Sequence, residues 1–169
     1  MTDEEWTQAE NFWLKKDKEK KQMPSEALKT ELDKFLKDHK ICALATGSGD
    51  DIRSTPLEYT WADGSLWIFS EGGLKFKGLQ ENPKVSAAVF EPNSKFGSLK
   101  SVQIFGRAEL VEPFSDEYNA AARLRHIPLK VLKKLPDTMW LIKIVPEEMV
   151  YLNSALKLKG YGSRQTYHC

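Results

Sequence analysis

Residues 41 to 92 hold the clearest pattern in the chain: short apolar runs of strand length, separated by turn residues and interrupted once by a helical repeat. Residues 41–45 predict a strand and 47–51 a turn. Residues 53–59 predict a second strand, followed by a tight hairpin turn at Ala62, Asp63 and Gly64. A third strand spans 66–70. Gly72 and Gly73 then open a short helix from Leu74 to about Glu81, stopped by Asn82 and Pro83, and 85–90 makes a fourth strand. Both faces of that strand are apolar, Val85, Ala87 and Val89 against Ala88 and Phe90. One face fills a core, and the other needs a cover of helices or of another subunit.

On the N-terminal side, Thr2 and Glu5 fit a capping box, and Trp6, Ala9, Phe12 and Trp13 follow at helical spacing. Two tryptophans on so short a stretch are too much apolar area to leave in water. This helix packs either on its own domain or on a partner subunit. The run KKDKEKK at 15–21 reads as a solvated helix end or linker. Asp17 and Glu19 interrupt it and no aromatic residues accompany it, which argues against a nucleic-acid patch. A second helix begins at Ser25, sets Leu28, Leu32, Phe35 and Leu36 on one face, and ends near 38–40 with His39 as a surface residue favoured by the helix dipole.

On the C-terminal side, 93–98 is a polar loop and 101–111 a long strand. Gly106 in that strand marks a bend or a close backbone approach. Residues 115–125 are helical, Ile127 and Pro128 break the helix with His126 at the hinge, and 129–135 is a further short helix. The last core strand covers 138–145. Residues 153–169 lack an apolar period and read as a loop or loosely docked tail. The strands are about six, and their connections are too short for a parallel βαβ sheet. The fold class is mainly β, a small closed or split antiparallel barrel with N-terminal helices. The expected divisions are 1–22 for the amphipathic helix and charged linker, 23–152 for the barrel and 153–169 for the tail.

Composition narrows the function. A length of 169 residues with 41% apolar content supports one domain with a real core. A formal net charge of +1 calls for neither nucleic acid nor an acidic substrate. No run approaches the ~20 apolar residues of a membrane span. The start MTDEEWTQ has no apolar signal region, so the expected location is the cytoplasm. Cys42 reads as a small buried hydrophobe and Cys169 as a loose thiol. The chain has no Gly-x-Ser-x-Gly elbow, no H-E-x-x-H or paired-cysteine metal spacing, and no Gly-x-Gly-x-x-Gly, so no metal site is expected. Glu147 and Glu148 are adjacent, and in a strand they point to opposite faces.

One polar cluster remains. Arg53, Ser54 and Thr55 begin the second strand, Ser70 ends the third, and Lys75 and Lys77 lie on the helix beyond Glu71, Gly72 and Gly73. A helix N-terminus offers unpaired N–H groups and partial positive charge. With the arginine, lysines and hydroxyls, it describes a phosphate pocket. Pro56 cannot donate to a sheet ladder, so its strand is irregular or at an edge there, leaving backbone groups for a flat heterocycle. The ligand type is nucleotide-like.

The order of these pieces, a strand with Arg-x-x-Pro, an Asp-Gly hairpin, a strand ending Phe69-Ser70, a lysine on a short helix and then Asn-Pro-x-Val-Ser, resembles the pyridoxamine 5′-phosphate oxidase-related, flavin-binding split barrels. Residues 102–109, VQIFGRAE, resemble the family's next strand, and the likeness runs from about 34 to 152. The resemblance implies a six-stranded split barrel that holds flavin mononucleotide (FMN), or less readily a deazaflavin, at a homodimer interface. By position, Arg53, Ser54 and Thr55 match the strand lining the ring and ribityl phosphate, with Pro56 beside them. Phe69 and Ser70 match the pair closing the third strand, and Lys75 the second member of an Arg-Lys phosphate pair. Ser101 falls where the oxidase proper has a glutamine from the other subunit. The departures are specific. Leu74 replaces the arginine of that pair, Glu58 replaces a lysine near the flavin, and Asn119, Arg123 and Ile127 keep only the arginine of the substrate-phosphate set. The implied function is an FMN-dependent oxidoreductase for an unidentified small molecule, not pyridoxamine phosphate, with catalytic residues unassigned. The alternatives are a non-catalytic flavin- or haem-binding module of the same fold, and a protein that docks a partner through Trp6 and Trp13.

Overall fold

A computed structural model describes residues 1–169 apart from Ser94 and Phe96, with Lys18 described by its backbone alone. Among the described residues, eight strands form one sheet in which every pairing is antiparallel. They are β1 (Ile41–Ser48), β2 (Asp51–Glu58), β3 (Thr60–Ala62), β4 (Ser65–Ser70), β5 (Lys84–Phe90), β6 (Lys100–Val111), β7 (Trp140–Asn153) and β8 (Arg164–His168). The order is β2-β1-β5-β6-β7-β4-β3, with β8 added on β7. Only Tyr59 separates β2 from β3, so one run of chain pairs with β1 at its start and with β4 at its end. That run joins the two ends of the curled sheet. With β2 and β3 counted as one bent strand and β8 as an addition, the six-stranded split barrel expected from sequence is present.

Tyr59 fixes the bend. Its backbone N–H donates to Lys40 O at 2.8 Å and its buried hydroxyl to Leu36 O at 2.9 Å. Among the described residues, five α-helices decorate the sheet: α1 (Asp3–Lys18), α2 (Ser25–Asp38), α3 (Lys75–Glu81), α4 (Asp116–Leu124) and α5 (Leu129–Leu132). Strand alternation sorts two cores. Leu66 and Ile68 of β4 point into the barrel with Leu44, Ala87, Ile104 and Ile144. The alternate residue Trp67 points outward with Val111, Tyr118 and Leu141 under α4 and α5. The expected face of α2 closes the barrel end: Leu28, Leu32, Phe35 and Leu36 are all buried, each worth about 1.5–3 kcal/mol.

Several expectations change. The long strand bends at Gly106, where the β6–β7 register shifts, and a Cβ there would stand 2.2 Å from Val145 O. The bulge carries β7 past Pro146 to Asn153, well beyond the predicted end at 145. The tail is not a loose loop. Residues Ser154–Lys159 form a 3₁₀ helix and Arg164–His168 pair with β7. Fully buried Gln165 accepts from Met23 N–H and donates to Gly162 O, both at 2.7 Å, a signal with no apolar period to read. His39 is not a free surface residue: its ring stacks on Phe35 with centroids 4.0 Å apart and Nδ1 lies 2.7 Å from Phe35 O. The short helix predicted at 129–135 ends at Leu132. Of the predicted loop 93–98, Ser94 and Phe96 lie outside the described residues.

Candidate functional site

The turn between β4 and α3 is built from two glycines, Gly72 at φ 140° and Gly73 at φ 103°, conformations open to glycine and strained for other residues. It reverses the chain so that α3 lies against the end of β1. Gly78 permits that approach, since a Cβ there would meet Thr46 at 3.1 Å. The result is a cleft of about 490 Å³ between the start of β2 and the glycine turn, lined by Ile52, Arg53, Ser54, Thr55, Gly73, Leu74 and Lys75. The strand start and the lysine singled out in the sequence therefore meet.

Lys75 is the buried member, 7% exposed, and its amine donates to Gly72 O. Burial holds its pKa below the ordinary lysine value. Ser70 lies beneath, its hydroxyl oxygen 3.3 Å from the Gly72 N–H that it accepts. Arg53 is exposed across the cleft. The helix end contributes less than expected. Helix α3 starts at Lys75, one residue later than predicted, and the N–H groups of Phe76 and Lys77 already donate to Gly73 O and Leu74 O at 3.0 and 3.2 Å. The positive character of the cleft comes from side chains. Lys77 lies outside it, 3.2 Å from Asp51 Oδ2 in an exposed pair.

Three expected site residues lie elsewhere. Phe69 is on the other face of β4 from Ser70, edge-on to Tyr118 with centroids 5.3 Å apart. Pro56 lines a separate apolar groove of about 470 Å³ with Ile41, Ala43, Phe90 and Pro92. It lies in β2, an end strand of the sheet order, in register with Ala43, as its missing N–H predicts. Ser54 and Pro56 alternate onto the same outward face, about 7 Å apart, and so connect cleft and groove. Ser101 is opposite Phe90 on that face, away from the cleft. Of the departures, Glu58 pairs with Arg125 at the end of α4, and Asn119 Nδ2 donates to Phe114 O at 3.0 Å. The sequence reading missed Thr46 and Gly78, whose contact seats α3. A glycine inside a helical pattern, about 1 kcal/mol worse than alanine, was the available signal. Among the described residues no group of three His, Cys, Asp or Glu side chains is placed to hold a metal ion, and no helix is long and apolar enough to cross a membrane.

Comparison with known proteins gives context. None of the curated proteins is significantly similar in sequence. Among solved structures, an FAD-binding protein from Mesorhizobium loti is 27% identical with a TM-score of 0.57, over 71% of this chain and 88% of its own. HutZ, a heme storage protein from Vibrio cholerae, is 20% identical with a TM-score of 0.59, over 74% of this chain and 92% of its own. ChuZ from Campylobacter jejuni is 16% identical with a TM-score of 0.66, over 87% of this chain and 61% of its own. The last two show likeness of fold alone. The sequence profile described as pyridoxamine 5′-phosphate oxidase matches residues 28–152, from the face of α2 that closes the barrel to the end of β7. By that match over most of its length, together with the split barrel, this chain belongs to the pyridoxamine 5′-phosphate oxidase family.

Proposed function

We propose that the chain binds flavin mononucleotide as a homodimer, with residues 23–152 as the flavin-binding unit, and serves as an oxidoreductase for a small molecule other than pyridoxamine phosphate. The observation that carries this reading is the cleft that Lys75 lines together with Arg53, Ser54 and Thr55. A buried ammonium in a cleft with an exposed guanidinium and the Thr55 hydroxyl fits a phosphate, which returns to Lys75 the charge-assisted bonds that burial removed, while Ser54 alternates to the other face of β2. Gly73 is fixed by its φ of 103°, and a Cβ there would stand in ordinary contact with Nζ at 3.6 Å. Ser54, Pro56 and the apolar groove beside them would hold the ring of a flavin gripped there. When bound, the flavin supplies the hydride and electron chemistry. The chain's own residues grip the phosphate, orient the ring and keep water from one side of it.

Membership of the family and the FAD-binding relative support a flavin. Haem is the second reading, prompted by HutZ. The cleft lining holds no His, Cys, Met or Tyr to ligate iron, whereas the groove beside it is lined by His39 and Cys42, so the absorption spectrum decides between flavin and haem. The homodimer is supported by the outward sheet face, where Ile41, Phe90 and Phe105 are exposed beside Ala43 and Pro56. In this reading Ser101, on the same face, serves the flavin of the second copy. The test is the absorption spectrum of the purified protein with an FMN titration, which also separates flavin from deazaflavin. Protein that is colourless and takes up no FMN from an excess sinks the proposal.

A further inference from the structure

Helix α1 is well begun, but most of its apolar area is open. Its capping box is complete, with Thr2 Oγ1 accepting from Glu5 N–H at 3.2 Å and the Glu5 carboxylate accepting from Thr2 N–H at 2.7 Å. Yet Trp6 is 62% and Trp13 50% exposed, and Phe12 and Leu14 lie open beside them. Its attachments gather at the C-terminal end. Arg164 Nε lies 3.5 Å from Asp17 Oδ2, the Arg164 guanidinium is 5.3 Å from the Trp13 ring centroid, and Gly162 N–H donates to Lys21 O at 2.9 Å. A helix of 16 residues is marginal in water by itself, and Trp6 and Trp13, on one side of the helix and both in the open, mark an interaction surface.

The point of attachment indicates the occupant. Arg164 is in register with Leu152, Leu152 with Ser101, and Ser101 with Phe90. Helix α1 therefore departs from the far edge of the outward face that ends at β2. That face is six strands wide, β2-β1-β5-β6-β7-β8. Five spacings of about 4.8 Å make it ~24 Å across. At 1.5 Å per residue α1 is also about 24 Å long. The helix is as long as the face is wide, but it does not lie on its own face, where Phe90 remains 52% exposed. We infer that α1 packs on a second copy of this chain, each copy giving its helix to the other across the two-fold axis. This inference rests on the homodimer proposed above and adds the exchanged helix to it.

Sedimentation equilibrium of the full-length protein across a dilution series tests it. Trp6→Glu should raise the dimer dissociation constant about thirty-fold or more, as loss of a buried tryptophan anchor does. Leu158→Glu, at a residue 92% exposed on the 3₁₀ helix, should leave it unchanged. A photoreactive phenylalanine analogue at position 6 gives a second reading that does not depend on the glutamate variant folding: cross-linking between chains supports the exchange, and cross-linking only within one chain overturns it. Wild-type dimer affinity in Trp6→Glu overturns the exchange and leaves the homodimer standing. A wild-type chain that is monomeric throughout overturns both, and FMN uptake still tests the flavin cleft separately.

Discussion

Lys75 is a cation kept largely out of water beside an open cleft. Burial lowers its pKa in the folded chain, while the unfolded chain keeps the ordinary value of 10.5. Between the lowered value and 10.5 the unfolded state binds more protons, so this residue makes stability rise with pH in that window and leaves a desolvation penalty below it. Lys75→Met should therefore melt no lower than wild type at pH 7 without ligand, the difference narrowing as pH climbs toward 10.5. It should also weaken FMN binding by about 1.5–3 kcal/mol. Arg53→Ala should show the same loss of FMN affinity with unchanged stability, because Arg53 is exposed. Calorimetric melting and FMN titration read both. Gly106 is the opposite type of residue, important for what it lacks. Gly106→Ala sets a Cβ against Val145 O and should destabilise the fold by about 2 kcal/mol or more in denaturant unfolding. Cys42, buried and with its pKa pushed up to about 12, has a thiol that stays protonated and serves as core packing.

Among the elements, α3 and β8 hold the site from two distances. The glycine turn and the Gly78 contact aim α3 so that Lys75 reaches β2, whereas the Lys77–Asp51 pair across the same junction is exposed on both sides and worth no more than about 1 kcal/mol. β8 extends the sheet and holds the segment between α1 and α2 through Gln165. Gln165→Leu leaves Met23 N–H and Gly162 O without that partner, at about 1–3 kcal/mol for each buried group left unpaired. The expected result is faster hydrogen exchange along β8 in a destabilised chain that still binds FMN, since β8 is remote from the cleft.

For the whole molecule, the bent β2–β3 run closes the barrel, and the outward face of β1, β5 and β6 carries the exposed apolar side chains Ile41, Phe90 and Phe105. If that face joins two copies and the flavin ring lies against it, assembly and cofactor binding are coupled. Phe90→Asp should then give a folded monomer with much weaker FMN uptake, whereas Lys75→Met should remain a dimer. Native mass and FMN titration on the two variants check this, and a dimeric Phe90→Asp would move the interface elsewhere.

The sequence by itself determined the strands and helices whose patterns are local. Alternation in 85–90, the apolar face of α2, the Thr2–Glu5 cap, the glycine pair before Lys75 and the need for a residue without a side chain at 106 all depend on neighbours within a few positions. Family likeness, read from the order of motifs, was legible for the same reason. The tertiary structure alone decided which side chains share a space. It brought Arg53, Ser54, Thr55 and Lys75 to one cleft, sent Phe69 to the far side of its strand, and separated Pro56 and Ser101 from that cleft along the outward face. It turned the tail into a sheet strand, because a buried glutamine bonding two distant backbones leaves no periodic trace. It also left the α1 tryptophans in the open, since hydrophobicity says that a surface must be covered but not by which chain.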